Sequence, residues 1–146
     1  MTKTFSRALL TLAMAVASLA TTRTVQAQDF KVIVNSANAT ASLSAGDASK
    51  IFLKESTKFP GGSSATPVDQ GKASPIRAAF SKAVIGRSVG AVETYWQQQI
   101  FSGKEVPPAT RSSDDDIVAF VKANPGAIGY VSAGASTAGV KVIDVK

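Results

Sequence analysis

The stretch PVDQGKASPIRAAF, Pro67 to Phe80, gathers the residue types of an anion site. Ser74 followed by Pro75 ahead of an amphipathic run marks a helix start. The Ser is an N-cap, and the Pro takes the first helical position, where a missing N–H costs nothing. The first turn then offers the Ser74 hydroxyl, the unpaired backbone N–H groups of Ile76 and Arg77, and the Arg77 guanidinium. The positive end of the helix dipole adds to them. A phosphate or similar oxyanion could be held there by Ser74, the Ile76 amide and a bidentate clasp from Arg77. Plain helix capping is the commoner role for such a Ser, and the stretch alone leaves the anion seat as the second reading.

Composition narrows the chemistry. The chain has neither Cys nor His. This excludes Ser-His-Asp and Cys-His nucleophile systems, thiol exchange, disulfides and Cys/His zinc sites. Oxygen-ligand metal sites and carboxylate pairs survive that test, and Asp114-Asp115-Asp116 is the one acidic run. Acids at a helix start, where they meet the positive dipole end, explain it without a metal. Neither a metal nor a cofactor is therefore expected, and a metal-dependent phosphatase stands well behind a binding protein. Tyr95-Trp96 could stack on a sugar or base but falls on an apolar stripe, and core packing is the simpler reading. GASTAG, residues 134–139, lacks the spacing of a nucleotide-binding loop and reads as a turn. Asn38–Thr40 formally matches a glycosylation acceptor and is given little weight.

The N-terminal segment has the layout of a secretory signal. Lys3 and Arg7 precede the apolar run ALLTLAMAVASLA, residues 8–20, and Val25-Gln26-Ala27 suits a signal peptidase. The run is short for a membrane span, which needs about 20 apolar residues. The expected division is a signal peptide over 1–27 and one domain over 28–146, periplasmic or secreted, with no transmembrane segment in the mature chain. Loss of Lys3, Arg7 and Arg23 would bring the formal charge from +6 to +3. The remaining Lys and Arg are scattered among acids, so nucleic acid is not an expected partner.

The elements that must position Ser74 follow from periodicity. Phe30 to Asn35 reads as a strand. Ser44, with Asp47 three residues on, forms a capping box for a helix whose apolar face is Ala48, Ile51 and Phe52. Residues 57–67 are loop, and a short strand near Thr66 to Asp69 leads into the 67–80 stretch. There, Ile76, Ala79, Phe80, Ala83 and Val84 form a stripe ending near Gly86. Val89, Val92, Trp96 and Ile100 mark the next helix, which stops near Gly103. The two-proline segment 104–112 is a connector. Ser113 and Asp116 box another helix, ended by Pro125-Gly126, and AIGYVSA and VKVIDV close the chain as strands. The expected order is β-α-β-α-α-α-β-β, with helices packed on a small mixed sheet.

In this order the residues resemble the periplasmic phosphate-binding receptors of ABC-type importers. SKIFLKES is similar to that family's Lys-Ile-Phe-Leu-Gly-Lys helix, and TPVDQGKASPIRAAF to its phosphate-binding turn. TYWQQQIFSG is similar to a Trp-containing segment of small members, and NPGAIGYV to the signature that closes the phosphate lobe. The resemblance covers most of residues 30–146 and implies an α/β fold. That fold is one lobe of a type-II periplasmic-binding-protein architecture, a small mixed sheet flanked by about four helices. It also implies a non-catalytic solute-binding protein for phosphate or a related oxyanion, serving ABC-type phosphate uptake. An ABC permease or a second copy of the chain would be its partner. Ser74 falls on the family's Ser, while Pro75 and Ile76 replace a Gly and a Thr. Asp69 falls on the Asp that accepts a hydrogen bond from protonated phosphate. Gly126 and Gly129 are expected to do backbone work. The alternative is an accessory or interaction module that keeps the lobe fold without a ligand.

Overall fold

The computed structural model describes residues 29–146. The expected signal segment and its cleavage site lie outside the described residues. The elements are β1 (Phe30–Asn35), β2 (Ser42–Leu43), α1 (Ala45–Phe52), β3 (Thr66–Gln70) and α2 (Pro75–Phe80). A π-helical turn, Ser81–Ile85, prolongs α2, and α3 (Val89–Phe101), β4 (Ala109–Arg111), α4 (Asp114–Ala123), β5 (Ala127–Ser132) and β6 (Val140–Val145) follow. The six strands form one mixed sheet in the order β2-β6-β1-β5-β3-β4. β1 runs antiparallel to both β5 and β6, whereas β3 is parallel to both of its neighbours, β5 and β4.

Strand alternation divides the core into two layers. Phe30, Val32 and Val34 of β1 face α1 and α2, where Ile51, Phe52, Phe80 and Val84 complete one cluster with Tyr130. Ile33 points the other way, joining Val68 and Val131 against Ile117 and Val121 of α4. The result is a helix–sheet–helix sandwich in which consecutive residues of a strand serve opposite cores. α3 packs outside this sandwich, burying Val92 and Trp96 on Leu53.

Local rules place most of the helix ends. The Ser44 hydroxyl accepts from the Asp47 amide at 3.0 Å and the Ser113 hydroxyl from the Asp116 amide at 3.1 Å. Gly86 ends the π turn at φ 73°, a left-handed conformation that glycine adopts without strain. Three departures from the sequence expectation have plain causes. β2 and β4 are strands of two and three residues, β4 within the segment read as a connector and β2 where no element was expected. Ala83 is exposed, because the wider π turn moves it off the α2 stripe, while Ser81 and Val84 are buried. Ile100 is 54% exposed, since the α3 stripe runs on past the edge of the core.

Gly129 shows why the closing strand needs its glycines. A Cβ there would lie 2.8 Å from methyls of both Ile117 and Val68, so α4 sits on β5 at a distance only glycine permits. A Cβ on Gly126 would lie 2.7 Å from the backbone oxygen of Ser64. Gly129→Ala should therefore overpack the α4 face and cost about 1–3 kcal/mol. Urea unfolding should show a lower midpoint with an unchanged slope. An unchanged midpoint would mean that α4 can stand further from the sheet.

Candidate functional site: the carboxyl end of β3

β3 sits between two parallel neighbours, and the connections after β3 and β4 lead to helices on opposite faces of the sheet. In an open α/β sheet this divergence opens a crevice beyond the carboxyl ends of the strands, the usual ligand position. Here that position is bounded by the Gly71–Ser74 turn and the Ser112-Ser113 turn. Gln70, the last residue of β3, ties the two helix mouths together. Its side-chain Oε1 accepts from the Ser74 hydroxyl at 2.7 Å, and its Nε2 donates to Asp114 Oδ1 at 2.9 Å. Nε2 also donates to the backbone oxygen of Tyr130 at 3.0 Å.

Beneath this crossing lies a buried charged cluster. Asp69 is 8% exposed and Arg77 6%, yet both carry ionisable side chains. Asp69 Oδ1 accepts from the Tyr130 hydroxyl and from the Gln70 amide, the latter at 2.8 Å. Asp69 Oδ2 lies 3.3 Å from an Arg77 guanidinium nitrogen, and the other terminal nitrogen donates to the Gln70 carbonyl at 3.2 Å. The Tyr130 ring stacks on Phe80 with centroids 3.9 Å apart and planes within 5°. β5, β3 and α2 thus each contribute one member.

Burial raises the Asp69 pKa above its ordinary 3.8, against the lowering effects of the Tyr130 hydrogen bond, the Arg77 charge and the Gln70 amide. Burial, with the neighbouring Asp69 charge, pushes the Tyr130 hydroxyl well up, so it remains a donor. A carboxyl with a raised folded pKa holds a proton that the unfolded chain has lost. Its contribution to stability therefore falls as pH rises from 3.8 through the raised value.

The sequence-predicted residues are close together but differently employed. Ser74 is the N-cap, but its contact with the Arg77 amide is long, at 3.4 Å, and its proton is directed at Gln70. Among the described residues the Ile76 N–H has no acceptor, leaving it available in the first turn. Arg77 does not reach outward; its guanidinium is drawn inward to Asp69 and Gln70. Both oxygens of Asp69 are engaged within the protein. α2 has no acid in its first turn, whereas α4 has Asp114, Asp115 and Asp116 in its own. Asp114 does more than meet a dipole, because its Oδ1 also accepts from the Ser132 amide at 3.2 Å. Among the described residues no group of three His, Cys, Asp or Glu side chains could hold a metal.

Sequence reasoning gave Tyr130 and Gln70 no role and read Asp114 only as a helix-start acid. Tyr130 was visible as the single aromatic residue in the AIGYVS strand, but its partner lies 61 residues away.

Comparison with solved structures matches this architecture. An ABC-type phosphate transport receptor from Vibrio cholerae aligns with TM-score 0.62 at 19% identity, over 80% of this chain and 46% of its own. A phosphate ABC transporter substrate-binding protein from Clostridium perfringens, solved with bound phosphate, aligns with TM-score 0.64 at 18% identity, over 80% and 44%. PstS from Borrelia burgdorferi aligns with TM-score 0.63 at 12% identity, over 81% and 47%. The fold is that of one lobe of these phosphate receptors. The chain spans less than half the length of the structures that it matches. No protein-family model matches it, and no curated protein does. No helix among the described residues is long and apolar enough to cross a membrane.

Tyr130→Phe keeps the stack on Phe80 and removes only the hydroxyl. At neutral pH it should lower stability by about 1–3 kcal/mol, because Asp69 loses a donor while buried. The loss should shrink at acid pH, where Asp69 carries a proton. Urea unfolding at the two pH values measures it, and a loss independent of pH would separate Tyr130 from Asp69.

Proposed function

We propose that the chain is a non-catalytic binding lobe for phosphate or a closely similar oxyanion, seated at the mouth of α2. The observation that carries this reading is the unpaired Ile76 N–H at a helix start without acids, in the crevice where the connections after β3 and β4 diverge. Ser74 turns its hydroxyl from Gln70 to the anion, and the Arg77 amide exchanges its long contact with Ser74 for a shorter one. An arginine has five N–H donors, and the contacts to Asp69 and Gln70 occupy two of them. Arg77 therefore supplies its positive charge from beneath the first turn, with Asp69 fixing its plane. Asp69 acts on the anion through Arg77. The fold likeness to receptors described as phosphate-transporting, one of them solved with phosphate, supports the choice of anion. Export to the periplasm or beyond, and delivery to an ABC permease or closure by a second copy, belong to the same reading. An open seat screens its charges, so affinity is modest without a covering partner.

A second reading is favoured by a separate observation. Phe101 is 94% exposed, beside Ile100 at 54% and close in sequence to Val106 at 57%, an apolar ridge suited to an interaction module. Isothermal titration of the purified protein with phosphate separates the two. The anion reading expects a salt-sensitive heat and an affinity reduced about three- to tenfold by Ser74→Ala. No heat at millimolar phosphate would leave the interaction module standing.

A further inference from the structure

A second cavity, of about 320 Å³, opens between α2, α3 and the connector to β4, and of the anion-seat residues it shares only Arg77. Its size is at the small end for ligand pockets, and its lining has their usual mixture of apolar walls and a few polar groups. The apolar part comes from Trp96, Ile100, Pro107 and Pro108. Glu93, Trp96, Gln97 and Ile100 reach it together because they stand at i, i+3, i+4 and i+7 along one face of α3.

The polar groups carry both signs. Lys72 and Arg77 line one side, and Glu93 supplies a carboxylate. The Lys72 ammonium lies 3.2 Å from Glu93 Oε1, with the Lys72 side chain 78% exposed. Yet that Glu93 oxygen is buried and accepts no hydrogen bond, so the two interact by charge alone. The Glu93 side chain is 28% exposed and so open to a ligand, and one that brings an N–H supplies the hydrogen bond that Lys72 does not make. An ammonium group does so best, since it brings both an N–H and a positive charge to the carboxylate. A simple cation would meet Lys72 and Arg77, and a simple anion would meet Glu93. A molecule with both charges on neighbouring atoms meets neither problem. Its carboxylate faces Lys72 and its ammonium faces Glu93, so that charges alternate around a square of four groups. The apolar remainder lies on Trp96 and Pro108.

We propose that this cavity binds a small zwitterion with an apolar side chain, of the class of free α-amino acids. Trp96 is the only tryptophan of the chain, so its fluorescence reports directly on occupancy. The experiment is a titration of the purified protein with L-leucine, followed by Trp emission, beside L-leucinamide, which lacks the carboxylate, and 4-methylpentanoate, which lacks the ammonium. A saturable change with leucine is expected, with both analogues at least about tenfold weaker, as the loss of one charge-assisted hydrogen bond implies. Glu93→Gln and Lys72→Met should each weaken leucine by a similar factor. Inorganic phosphate should neither change the emission nor compete. No saturable change with leucine, or equal responses to the three compounds, would overturn the proposal whatever happens at the α2 mouth. Competition by phosphate would overturn it as well, by making this cavity the anion seat.

Discussion

The carboxylate of Asp69 is buried, and the shape of the carboxyl end of β3 depends on how that burial is satisfied. An unpaired carboxylate in a core costs several kcal/mol, so the surrounding chain must bring donors to it. Tyr130 reaches it from β5, the Gln70 amide from the next residue, and Arg77 from the first turn of α2. These three contacts fix how α2 leaves the sheet and where its first turn points. They also compete with any anion for Arg77, which makes the seat as much a product of internal electrostatics as of free donors.

The same cluster explains why the crevice is asymmetric. Both helices that start there are capped by serine, but α4 brings its own negative charge and α2 does not. Asp114 is held by Gln70 and by the Ser132 amide, so the α4 mouth is already answered. Among the described residues, the α2 mouth is answered by the Gln70 side chain, a neutral acceptor for the Ser74 hydroxyl. Fold likeness at 12–19% identity establishes the lobe architecture, and the chemistry has to be argued from these contacts.

What the sequence made legible was local. The Ser44 and Ser113 caps, the Pro75 start and the Gly86 stop are short-range rules that the structure obeys. Asp47 and Asp116, however, accept from the capping hydroxyl and not from the backbone N–H that a capping box uses. β2 and β4 escaped notice because strands so short are made by their partners, β6 and β3, and carry no pattern of their own. The link from Tyr130 to Asp69 required knowing that β5 lies beside β3, which strand patterns do not state. Gly129 was assigned backbone work correctly, but its two close neighbours, Ile117 and Val68, come from different elements. Arg77 was placed on the right turn, while its direction was set by Asp69, a residue whose role had been read only through a resemblance.

The buried carboxylate can be observed directly. Carbon NMR of the Asp69 side chain across a pH titration reports its protonation in the native protein. The account predicts a midpoint above 3.8, with the Tyr130 and Arg77 side-chain signals moving at the same pH. A midpoint at or below 3.8, with no coupled movement, would mean that Asp69 is solvated and that nothing holds the crevice in the form described.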